Sequence, residues 1–190
     1  MAVVKLRMLD DILARYGNQL ASLGQKQAVK VMARALNYEG RKVYTLIKRG
    51  IARQSSIPYG MVNAATKFRS AATVSSSNLT ASIVASAGYP TLKPFKARQT
   101  AAGSSATVRQ KRITYRSSFG APGDRPKVTA RLGGIPHMRV GKSRLPIKTL
   151  YGPNVADELM RDAPPKLFEA AKAAIIARVE KEINAILRGY

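Results

Sequence analysis

The chain has 190 residues, enough for one domain with a sizeable core, and its 45% apolar content excludes wholesale disorder. With 33 Lys and Arg against 10 Asp and Glu, the net charge is +23, which points to an anionic partner. The absence of Cys and the single His exclude disulfides, thiolate nucleophiles and multi-histidine metal sites within one chain, and no apolar run reaches the roughly 18 residues that span a bilayer.

Met1 to Lys5 leads straight into amphipathic sequence, so no secretory leader is expected. Val4, Leu6 and Met8 alternate with Lys5 and Arg7, which predicts a short opening strand. Leu9, Ile12, Leu13, Tyr16, Leu20 and Leu23 follow helical spacing behind Asp10 and Asp11, acids suited to a helix N-terminus. A longer helix is predicted from Gln25 to Arg53, its apolar stripe carried by Val29, Met32, Ala33, Leu36, Val43, Ile47 and Ile51. After Pro58 a short helix is expected from Tyr59 to Phe68.

The texture then changes. Ala81–Ala87, Thr107–Tyr115 and Lys127–Leu132 read as strands bounded by turn residues. Alternation fails across Gln110–Ile113, which suits a bulge. Asp162 followed by Pro164 and Pro165 marks a helix start. Phe168, Ala171, Ile175, Val179, Ile183, Ile186 and Leu187 keep helical spacing to Arg188, and Gly189 can end it. Helices, strands and a final helix give an α+β class: a small antiparallel sheet with the long N-terminal helix and the C-terminal helix on one face. Ile83, Val108 and Val128 are expected to line that face. A single domain over 1–190 is expected, with a helical part (1–57), a basic β-rich part with an extended arm (58–153) and a C-terminal helical part (154–190).

The charge is unevenly placed. Gly40 to Ala156 holds twenty-one bases and one acid, Asp124, a net of +20, whereas Asp157 to Tyr190 holds six of each. Arg109, Lys111, Arg112, Arg116, Lys127 and Arg131 concentrate six cations on two neighbouring strands and their turn, a pattern suited to phosphates. Tyr115 and Phe119 are the only aromatics interleaved there and Trp is absent, so a stacking platform for single strands is not expected. Solvent or acidic neighbouring subunits remain the other reading of these cations.

No catalytic constellation can be assembled. His137 sits in a loop-like stretch with no acid nearby in sequence, and Asp157 and Glu158 are accounted for by a helix start. Gly133-Gly134 lacks the ending of a phosphate loop, and Gly141-Lys142-Ser143 lacks its upstream glycine and strand-to-helix context. The expectation is a non-enzyme without cofactor or metal.

Two stretches are more specific. One is Phe95-Lys96-Ala97-Arg98-Gln99-Thr100 with Gly103-Ser104-Ser105-Ala106, and the other is Arg144-Leu145-Pro146-Ile147-Lys148-Thr149-Leu150-Tyr151-Gly152-Pro153. Ser118-Phe119 and Val128-Thr129-Ala130-Arg131 stand between them. Together, over Gln25 to Leu159, these resemble the minor tail protein Z, or tail completion, family of tailed bacteriophages and prophages. The segment Gly120–Gly141, rich in Gly and Pro, departs from the family pattern. The resemblance implies a neck-like or tail-terminator-like α+β fold and a virion component of the neck or tail top, assembled in the bacterial host cytoplasm. It also implies a homo-oligomeric ring, a hexamer, that joins head to tail around the DNA channel. The partners implied are a tail terminator or head–tail connector and genomic double-stranded DNA, with no membrane. A sequence-independent nucleic-acid-binding module is the alternative.

Pro146 and the Gly152-Pro153 pair predict an extended arm ending in a fixed turn. Leu145, Pro146, Ile147, Leu150, Tyr151, Gly152 and Pro153 are the candidate subunit interface; packing on the chain's own core is the equal alternative.

Overall fold

The computed structural model describes residues 2–6, 18, 25–71, 79–123 and 126–188. Of the helix expected over Leu9 to Leu23 only Asn18, which is helical, is described, and the rest of it, with Asp124 and Gly189, lies outside the described residues. Strand β1 (Ala2–Leu6) opens the chain and pairs antiparallel with β3 (Ala81–Ala85), which pairs on its other side with β2 (Thr66–Arg69). Helix α1 (Gln25–Ser55) is the long predicted helix, and α2 (Tyr59–Ala65) follows it. The expected helix over Tyr59–Phe68 ends early because Thr66, Lys67 and Phe68 are recruited as an edge strand on β3, where β-branched and aromatic residues fit.

A second sheet contains β4 (Arg98–Thr100), β5 (Gly103–Val108) and β6 (Lys111–Arg116), and a third contains β7 (Ser118–Phe119), β8 (His137–Arg139) and β9 (Ile147–Thr149). The predicted strand Thr107–Tyr115 is therefore a hairpin and not a bulged strand. Arg109 (φ 50°) and Gln110 (φ 63°) form its two-residue turn, with Val108 opposite Lys111. Two left-handed residues without Gly or Asn gave no turn signal. Lys127–Leu132 is a correction of type: Pro126–Arg131 forms helix α3. Its Val128-Thr129 pair reads as β, but Pro126 suits a helical first turn, and Val128 is half-buried on the helix, not on a sheet face. His137, expected in a loop, lies in β8.

Helix α4 (Val155–Leu159) is capped by Asn154, whose side chain accepts from the Ala156 N–H. Helix α5 (Ala163–Leu187) begins where predicted, with Pro164 in its first turn. Asp162 makes no side-chain cap; its carboxylate lies 3.6 Å from the Arg161 Nε.

The architecture is α+β, with a long N-terminal helix, small antiparallel sheets and a C-terminal helix. The core is continuous from Val31, Ile47 and Ile51 of α1 through Ile83 of β3 to Ile175, Val179 and Ile183 of α5. The principal packing partner of α5 is α1, so the final helix reaches the sheets mainly through the long one. The Arg178 guanidinium of α5 stacks 4.3 Å over Tyr38 and bonds Glu182 at 2.5 Å. Gly40 interrupts α1 at a cost of about 1 kcal/mol relative to Ala in a helix. A Cβ there would stand 2.9 Å from the Phe68 ring, so its absence lets β2 close on the helix.

Candidate functional site

Directly paired residues of an antiparallel ladder share a face. The second sheet aligns Arg98 with Ser105 and Thr114, Thr100 with Gly103 and Arg116, and Thr107 with Arg112. One face therefore carries Arg98, Arg112 and Arg116 amid Ser and Thr side chains. The other carries Ala106 and Val108, both buried in the core, and the half-buried Tyr115. Burial raises the Tyr115 phenol above its ordinary value of 10.0.

Arg98, Arg112 and Arg116 are exposed and make no ion pair with any described residue. Arg112 is steered by its Nη2, which donates to the Ser105 Oγ at 2.9 Å. Lys111 is also exposed but points to the opposite side of β6, beside Ile113.

Arg109 behaves differently. It closes the β5–β6 turn, and its Nε and Nη2 each lie 2.9 Å from Oε1 of Glu158, a carboxylate 1% exposed. Lys127 and Arg131 are exposed on α3 and not on a strand. Of the six predicted cations, the structure brings Arg112 and Arg116 onto one face, assigns Arg109 to a packing pair, and places Lys127 and Arg131 elsewhere. Arg98 was not among the six, although it lies in the quoted Phe95–Thr100 stretch. A three-residue strand is too short for periodicity to announce.

Arg131 instead borders a cleft of about 770 Å³ between the β4–β5 turn, β7, α3 and the β8–β9 hairpin. Arg139, Arg144, Leu132, Leu145 and Ile147 also line it, and no carboxylate does among the described residues. Arg139 sits 5.4 Å over the Phe119 ring, whose other neighbour is His137, with ring centroids 6.4 Å apart. The His137 Nδ1 lies 2.7 Å from the Ile135 carbonyl oxygen. Among the described residues, no cluster of three His, Asp or Glu side chains could hold a metal ion, and no helix is long and apolar enough to cross a membrane.

No family model, curated protein or solved structure matches this chain.

The arm divides into two parts. Leu145, Pro146 and Ile147 are exposed, with the Leu145–Pro146 peptide cis, and the Val140 N–H donates to the Pro146 carbonyl at 3.2 Å. From Leu150 onward the arm is fastened to its own chain. The Leu92 N–H donates to the Leu150 carbonyl at 3.0 Å, and the Gly152 N–H donates to the Pro90 carbonyl at 2.7 Å. Leu150 packs on the core, Gly152 and Pro153 are half-buried, and Tyr151 leaves its side chain exposed.

Proposed function

We propose that this chain is a structural, non-catalytic subunit of a bacteriophage virion neck or tail top, acting in tail completion and head-to-tail joining as a ring around double-stranded DNA. The observation that carries the DNA contact is the face of the second sheet, where Arg98, Arg112 and Arg116 stand exposed with no acidic partner among the described residues. Arginines in that state favour polyanion phosphates, and the exposed Thr114 hydroxyl on the same face adds a donor without base-reading geometry. The virion assignment is supported by the resemblance of the Phe95–Ala106 and Arg144–Pro153 stretches to the tail completion family. Support for a structural role comes from the acids: Glu158, Glu39 and Glu182 each pair with a base of their own chain.

The test combines mass with nucleic acid. A ring subunit sediments as a discrete multimer without DNA and binds duplexes irrespective of sequence. A monomer that gains mass only with nucleic acid would replace this reading with the simpler binding module.

A further inference from the structure

Among the described residues, the three most exposed large apolar side chains are Leu145 at 67%, Val140 at 65% and Met160 at 61%. They occupy two spots of opposite charge. Val140 and Leu145 sit in the loop joining β8 and β9, rimmed by exposed Arg139, Lys142, Arg144 and Lys148. Met160 sits in the turn between α4 and α5 among exposed Asp157, Arg161 and Asp162, and the turn is net acidic because Arg161 offsets only one of the two aspartates. Asp157 makes no ion pair with a described residue, and Asp162 meets only Arg161. Glu158 between them is turned inward to Arg109, so it does not add to the outer surface.

The loop overhangs the cleft of about 770 Å³, whose wall combines Arg131, Arg139 and Arg144 with Leu132, Leu145 and Ile147. A wall of that kind takes a group with an apolar centre and carboxylates at its edges. It suits nucleic acid poorly. Leu132, Leu145 and Ile147 offer phosphates nothing, and the one aromatic among the described lining residues, Phe119, already has Arg139 at 5.4 Å and His137 at 6.4 Å from its ring.

Resting on the ring reading above, we infer that the α4–α5 turn of one copy seats in this cleft of a second copy. Met160 lies against Leu145 and Ile147, and Asp157 and Asp162 reach Arg131 and Arg144. The occupant is this same chain because it carries both halves of a charge-matched pair. The two surfaces are different, so the contact is head-to-tail, and repeating it closes a ring when the rotation per step permits.

The chain has no Cys, so a cysteine pair reports the contact without background. Leu145→Cys and Met160→Cys place one thiol on each side, both at exposed positions. Under mild oxidation, the doubly substituted protein is expected to give a ladder of covalent multimers ending at the ring size. A mixture of the two single variants should give only dimers containing one of each. As an independent arm, Arg131→Glu/Arg144→Glu should weaken assembly about tenfold or more, and mixing it with Asp157→Lys/Asp162→Lys should restore mass.

Cross-linking of Leu145→Cys to itself, a disulfide within one chain, or no cross-link while the unmodified protein sediments as a ring would each overturn the contact and leave the ring reading standing. A doubly linked dimer that grows no further keeps the contact and overturns the ring. An unmodified protein that is monomeric at every concentration overturns both.

Discussion

Arg109 and Glu158, separated by 49 positions, bind the β5–β6 turn to α4 through two contacts of 2.9 Å onto one carboxylate oxygen. The second oxygen accepts from the Gln54 Nε2 at 3.0 Å, and the same nitrogen donates to the Glu158 carbonyl at 2.8 Å. One buried acid therefore ties the end of α1, the hairpin and α4 together. Removing a partner would leave that charge undersatisfied in the interior, which is costlier than never having placed it there. Because the Arg109 side chain is 47% exposed, water offsets part of the loss. Arg109→Ala is expected to cost roughly 1–3 kcal/mol in urea unfolding, and less when Glu158→Gln is already present. Equal costs in both backgrounds would show that the pair is not coupled.

A division of labour among the cations follows. Arg98→Ala, Arg112→Ala and Arg116→Ala should each lower the slope of log affinity against log salt by about 0.9 for duplex DNA, with little change in stability. Arg109→Ala should do the reverse. Titrating two unrelated duplexes across a salt series with each variant separates these outcomes. A flat salt response in the unmodified protein would remove DNA phosphates as the partner.

The parts legible from the sequence were those with long periods. Over α1 and α5 an apolar stripe repeats through many turns, so Ile47, Ile51, Ile175 and Val179 identify the buried side without help. Short elements escape that logic. Three-residue β4 and β9 carry no period, and α3 contains a Val-Thr pair that favours strands wherever packing does not decide otherwise. The site was half legible. Charge density singled out the 109–131 region, yet which cations point outward depends on the turn at Arg109–Gln110, which shifts the alternation along β6. Glu158 looked like a helix-start acid because its partner is remote in sequence.

Core packing between the two long helices gives a direct stability test. Ile47 and Val179 are both fully buried. Ile47→Ala is expected to lower unfolding free energy by about 2–5 kcal/mol, and Val179→Ala by a smaller amount, since fewer carbons leave the core. Thermal melts that do not move for either would mean the helices are not packed as described.

Tyr115 predicts an alkaline effect of definite sign. Its phenol is raised above 10.0 by burial, so the folded chain holds that proton more tightly than the unfolded chain. The contribution is whole below pH 10 and is lost as pH rises through the unfolded and then the folded value. Urea midpoints measured from neutral to strongly alkaline pH should fall for the unmodified protein and fall less steeply for Tyr115→Phe. Identical profiles would place the alkaline loss on other groups.

The arm's two parts predict opposite consequences for substitutions only five residues apart. Ile147 is 36% exposed on the cleft wall and lies outside the core cluster, so Ile147→Asp should cost no more than about 1 kcal/mol of unfolding free energy while reducing the sedimenting mass. Tyr151→Ala, at another exposed side chain, should behave the same way. Gly152 lies against the buried Phe95 ring, and a Cβ there would overlap Cε2 and Cζ of that ring. Gly152→Ala should therefore cost about 1–3 kcal/mol through overpacking, whatever the assembly state. Circular dichroism with sedimentation distinguishes the cases. An Ile147→Asp chain that unfolds, or that sediments unchanged, would return the outer arm to the chain's own core or to solvent.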